Sequence, residues 1–304
     1  MSTTQDVAYH MGGVPVHGEF TTGHVFFVDS NRGNKKSNNG KKPSTAFATL
    51  DEATNACTAN NHDIVYIMPN HAETISGATT WVPDVAGVQY IGIGMGADAP
   101  ELTFSATTST IPISGGNNLF KNIRFVAGIS AVACACAVGA DHVTFDDCTW
   151  DYSTTLFDFT MLLNITAFDY CTVQNCMFIT EARTTGPVKA IGLDDAHHTT
   201  IRNNIFTGLF QNAVISNEST DAAMNHLMIL DNVMYNDDTL STNGGIRITS
   251  TSHGVISGNR IGWMGLATRL PVTIDPGECV IFDNYVSNAI NAAGISTAIG
   301  PATT

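Results

Sequence analysis

Apolar and polar residues along this chain do not follow the 3.6-residue period of helices. They follow a short alternating rhythm that returns at long intervals. One six-residue pattern recurs: apolar, any, Asn/Asp/Gly, a small or polar residue, any, then apolar or aromatic. It reads FKNIRF from Phe120, FDDCTW from Phe145, VQNCMF from Val173, IRNNIF from Ile201, ILDNVM from Ile229, ISGNRI from Ile256 and IFDNYV from Ile281. These starts lie 25, 28, 28, 28, 27 and 25 residues apart. Each interval holds a second β-like run: AVACACAV, MLLNIT, VKAIGL, NAVIS, GGIRIT or PVTI. Asn, Gly, Asp, Ser and Thr separate the runs. Short strands at a long, nearly constant period predict the coils of a solenoid.

The turn positions inside the pattern agree. Its third residue is Asn122, Asp147, Asn175, Asn203, Asp231, Gly258 or Asp283, types that tolerate left-handed backbone. Its fourth is Ile123, Cys148, Cys176, Asn204, Asn232, Asn259 or Asn284. Coils stack at about 4.8 Å. Asn204, Asn232, Asn259 and Asn284 are therefore expected to form a structural ladder of amide hydrogen bonds, with Cys148 and Cys176 inside the core as small hydrophobes.

Coil length and the Asn column resemble those of the right-handed parallel β-helix, the pectate-lyase-like fold, over about residues 62 to 300. The expectation is an all-β right-handed parallel β-helix solenoid with an N-terminal capping helix. DIVYIMP (Asp63 to Pro69) and VQYIGIG (Val88 to Gly94) read as its first coils. With the seven pattern repeats they make about ten coils, a rod of roughly 45 to 50 Å. The capping helix is expected over Pro43 to Asn60, with Ser44 or Thr45 as N-cap and Phe47, Leu50, Ala53, Ala56 and Cys57 on one face. The division expected is an N-terminal arm over 1–25, a leading strand, basic loop and capping helix over 26–62, and the parallel β-helix with a short C-terminal tail over 63–304.

Composition narrows the function. Of 304 residues 43% are hydrophobic and 13% charged, enough for a core and too few charges for a long-helix protein. The net charge of -14 argues against wrapping nucleic acid. No apolar run reaches the length of a membrane span. The start MSTTQDVAYHMGG lacks a charged segment followed by an apolar one, and the seven cysteines form no CxxC pair. Both features suggest a chain made in a cytoplasm with reduced thiols.

Candidate chemistry is sparse. LDDAHH, Leu193 to His198, offers Asp194 and Asp195 as a weak candidate catalytic pair. On a strand, adjacent residues point to opposite faces, so turn chemistry is the preferred reading. Three residues before each repeat start lies the column Asn117, His142, Tyr170, His198, His226, His253 and Glu278, with Asp141, Asp169 and His197 one position earlier. Stacked imidazoles such as His198, His226 and His253 can bridge Zn²⁺ or Ni²⁺, or simply fill a corner. The second reading is preferred because adjacent rungs offer no tetrahedral closure. No cofactor is expected. Gly92 to Gly96 reads as a turn and not as a phosphate loop, since no helix follows it. Neither a hydrolase nor a lyase motif is complete, so the expectation is that the chain is not an enzyme. Arg32, Lys35, Lys36, Lys41 and Lys42 form the one basic cluster, a solvated loop or a docking loop for an acidic partner.

FFVDSNRGNKKSNNGKKPSTAFATLDEA, DIVYIMPNHAETI, GVQYIGIGMGADAPELTF and NLFKNIRFVAG resemble a family of β-helix proteins encoded among tailed-phage structural genes. That resemblance implies a phage virion component. The expected form is a capsid-surface auxiliary (decoration/cement or head-spike) protein, made in the host cytoplasm and assembled as a homotrimer. Its expected partners are the major capsid protein or another virion protein, with a host surface glycan as a further candidate and neither nucleic acid nor membrane. The alternative is a tailspike-type β-helix that binds or depolymerises polysaccharide.

Overall fold

A computed structural model describes residues 21–32, 38–180, 186–217, 222–237, 244–249, 252–263, 272–274 and 279–288. The chain is an all-β, right-handed parallel β-solenoid with very little helix. Three parallel sheets of ten, nine and seven strands run along it. One turn shows the construction. Strand Thr144–Asp146 lies in the first sheet, Thr149–Tyr152 in the second and Met161–Thr166 in the third. Phe145, Trp150, Leu163 and Ile165 are buried on alternating positions, with Leu162 buried beside them.

The six-residue pattern is thus not one strand but a corner between two. The residue at its bend has positive φ in every copy: Asn122 53°, Asp147 56°, Asn175 56°, Asn203 55°, Asp231 54°, Gly258 70° and Asp283 53°. This backbone region is costly for most side chains and cheap for Asn, Asp and Gly. The second β-like runs become the third sheet, including Lys189–Asp194 and Ile246–Ile248.

In-register pairing stacks like on like through the interior. Tyr90, Phe120 and Phe145 stack at 5.2 and 5.1 Å, and Phe125, Trp150, Phe178 and Phe206 at 4.9, 4.4 and 4.6 Å. One continuous core runs from Phe26 to Val286. All seven cysteines are free thiols, and Cys148 and Cys176 are buried in that core.

Two expectations need correction. The rod has about seven complete turns, not ten. The seven-stranded sheet counts them; among the described residues, the first and last turns contribute strands to the other two sheets only. The expected N-terminal cap is not supported either, and the helix is shorter than the Pro43 to Asn60 span. Only Leu50–Ala56 (α1) is α-helical, and Thr49, not Ser44 or Thr45, is its N-cap, accepting the Glu52 N–H at 3.3 Å. Pro43–Thr45 forms a separate 3-10 turn. Phe47 lies outside α1 because its backbone is extended. It donates to the Phe27 carbonyl at 2.8 Å and accepts from Asp29 N–H at 2.8 Å.

Candidate functional site

The Asn column is an internal hydrogen-bond system. Asn204 Nδ2 donates to Asn232 Oδ1 at 3.0 Å, Asn232 Nδ2 to Asn259 Oδ1 at 2.9 Å, and Asn259 Nδ2 to Asn284 Oδ1 at 2.9 Å. All four side chains are buried, so their chemistry is spent on the fold.

The outer face of the first sheet is different. At the start of its strands His142, Tyr170, His198 and His226 sit at φ between 55 and 59°. Their rings stack face to face with centroids 4.7, 4.4 and 4.4 Å apart and planes within 14°. The column one residue earlier fixes the rings. Asp141 Oδ1 accepts the Asp169 N–H at 2.8 Å, Asp169 Oδ1 the His197 N–H at 3.2 Å, and His197 Nδ1 the Asn225 N–H at 3.0 Å. Beside the rings, Thr172, Thr200 and Met228 line a groove of about 610 Å³. Tyr170 is 48% exposed and Met228 39%.

A second hollow, of about 540 Å³, lies where the Met95–Ala99 loop crosses the corner between the first and second sheets. Arg124 and Asp147 line it. Arg124 bridges Glu101 at 3.0 Å and Asp151 at 3.1 Å. Asp146, next to Asp147 but on the sheet face, pairs with Lys121 at 3.5 Å and accepts from Asn175 Nδ2 at 2.7 Å. Burial, then the charge of Asp146, push the Asp147 carboxyl up, against the pull of Lys121. A carboxyl raised in this way is what a proton donor requires. Sequence reasoning missed this site. Its one signal was the Asp-Asp of FDDCTW; the loop that completes it comes from far upstream.

The other candidates fall as follows. Asp194 ends a third-sheet strand, and its Oδ1 accepts the Ala222 N–H at 3.1 Å. Asp195 follows in a turn with φ 51° and contacts His197 Nε2 at 3.2 Å. Each carboxylate thus serves a different neighbour. Arg32 pairs with Asp29 at 3.2 Å, and Lys41 and Lys42 are exposed. Lys35, Lys36 and residues 1–20 of the arm lie outside the described residues. His198 and His226 stand in the ring column, and His253 lines the same groove. Among the described residues no group of three His, Cys, Asp or Glu converges as a metal site.

No protein-family model matches the sequence, and no curated protein matches it significantly. Solved structures do. A pectin methylesterase from Aspergillus niger aligns at a TM-score of 0.53 with 14% identity, over 92% of each chain. A rhamnogalacturonan lyase aligns at 0.47 with 12% identity over 90% of each chain. Geobacillus virus E2 ORF18 aligns at 0.37 with 12% identity, over 86% of this chain and 61% of that one. Only the first reaches a score at which the chain path is shared, and at that identity the fold alone is common. The expectation that the chain is not an enzyme is nonetheless overturned: the architecture shared over nearly its full length belongs to an enzyme, and catalysis is compatible with it. The chain is a parallel β-helix protein, and that fold is what it shares with the pectin methylesterase.

Proposed function

We propose that this is a structural component of a tailed-phage virion, carried on the capsid surface as a homotrimeric decoration or head-spike protein. The observation that carries the reading is the N-terminal half of the sequence, whose successive segments resemble β-helix proteins of phage structural genes. The fold supports it in two ways. Strand Val25–Val28 adds to the first sheet beside Ile64–Ile67, and Leu50 and Ala53 of α1 join the core, so the segment next to the proposed docking end is packed onto the rod. The outer face of the second sheet carries Met177, Ile205 and Val233 in register on three successive turns, 38 to 43% exposed. An uncharged stripe of this kind suits parallel copies meeting rung against rung. The test is mass spectrometry of the purified virion with copy number. The expected result is this chain in the head at a multiple of three per capsid position; its absence from virions, or presence in tails alone, overturns the reading.

A second reading, a polysaccharide-cleaving β-helix, is favoured by the hollow at Asp147 and Arg124. Release of reducing ends from host surface glycan, abolished by Asp147→Asn, would establish it.

A further inference from the structure

The ring column is more than the fold requires. The core of these turns is filled by the residues that follow each ring, among them Val143, Cys171 and Leu227, all buried. The ring positions themselves have positive φ, which Asn117 satisfies in the same column without a ring. Four successive turns nonetheless hold His142, Tyr170, His198 and His226 there, stacked and partly exposed, beside an open groove.

We propose that this groove, lined by Tyr170, His198, His226, Thr172, Thr200 and Met228, binds an extended neutral polysaccharide lying along the rod axis. Three features of the groove point to that ligand class. First, the site repeats: a ring recurs once per turn, and beside the rings Thr172, Thr200 and Met228 stand in register. Equivalent subsites along a line are best filled by a chain of equivalent units. Second, the lining is amphipathic. Tyr and Thr hydroxyls and imidazole edges donate and accept, while ring edges and Met228 meet apolar C–H surface, the mix that sugar rings present. Third, the lining holds no Lys, Arg, Asp or Glu, and Asp141 and Asp169 flank the rings.

An extended peptide fits less well. The groove lies on the face of the first sheet, whose strands are already paired on both sides, so no backbone edge is open for strand addition.

The inference goes beyond the virion reading, and its test uses purified protein, so either can fail alone. The full chain would be applied to an array of bacterial surface polysaccharides holding both neutral and uronate-containing members, and each retained polysaccharide titrated. The expected result is retention of neutral members, with affinity about tenfold weaker in Tyr170→Asn and in His226→Asn. Asn suits the positive φ, so these variants remove a ring without straining the backbone, and an unchanged thermal transition would verify it. Thr200→Val, which keeps the shape and loses the hydroxyl, should also weaken binding. The inference is wrong if no neutral polysaccharide is retained, if only uronate-containing members or proteins bind, or if folded Asn variants bind as tightly as the native chain.

Discussion

Asn232 makes four hydrogen bonds with one side chain. Its Oδ1 accepts from the backbone and the side-chain amide of Asn204, and its Nδ2 donates to the Ile201 carbonyl and to Asn259 Oδ1. The residue is fully buried, so none of these partners has water as a substitute. Asn232→Ala would leave at least the Asn204 N–H orphaned in the core. An unsatisfied buried group costs about 1–3 kcal/mol, and the loss here should lie near the top of that range, read as a fall in urea unfolding free energy. Asn203→Gly, one residue before a ladder position but outside the core, keeps the positive φ of its turn and should stay within about 0.5 kcal/mol. Equal effects of the two substitutions would mean that the ladder adds nothing beyond turn geometry. The column was legible because its chemistry is local: the residue after each bend always turns inward.

Among the elements, the leading strand is tied at its start by one carboxylate. Asp63, whose side chain is fully buried, accepts the His24 N–H at 2.6 Å, the Thr58 N–H at 2.7 Å and Asn61 Nδ2 at 2.7 Å. It thereby ties the leading strand and the segment after α1 to the first full-length coil strand, Ile64–Ile67. Burial alone would raise its pKa, but these hydrogen bonds and the nearby His24 ring outweigh it and hold the carboxyl below its ordinary 3.8. A carboxyl with a lowered folded-state pKa stabilises above its unfolded value and loses that contribution as pH falls through the folded one. Asp63→Asn should therefore cost about 2 kcal/mol at pH 7, in the range of hydrogen bonds to a charged group. The gap from the native chain should narrow as pH falls below about 4, where the unfolded carboxyl protonates first and the folded one only at lower pH. A gap that stays constant from pH 7 to pH 3 would refute this role. The same region shows where sequence reasoning stopped. The 3- and 4-residue spacing from Phe47 to Cys57 is helical, yet Phe47 is drawn into extended pairing with the leading strand, and Cys57 turns extended at φ -75° and ψ 157°. Tertiary pairing overrode a local period, and a local pattern cannot report that. The hollow at Asp147 was hidden likewise, because the Met95–Ala99 loop reaches it only once the turns have stacked.

At the scale of the whole molecule, a solenoid buries its core within one chain and leaves three long faces, so assembly must be decided by what those faces carry. On the second sheet the charged residues near the N-terminal end are already paired, since Arg124 is held between Glu101 and Asp151. Below them Met177, Ile205 and Val233 form an uncharged stripe, with Tyr235 beside it at 46% exposure. In a parallel trimer each residue near the axis meets its own copies at the same height. A charge on such a rung would face two like charges, and an apolar rung faces its own kind. Ile205→Asp is the sharpest probe of this arrangement. Ile205 is 43% exposed and outside the core, so the change should leave the single chain folded. In the trimer it sets three carboxylates around one axis, and such like-charge contact costs several kcal/mol. Light scattering should give a trimer for the native protein and a monomer for the variant, with the same circular dichroism for both. A native protein that is monomeric at micromolar concentration, or a variant that remains trimeric, would remove the stripe as the trimer contact.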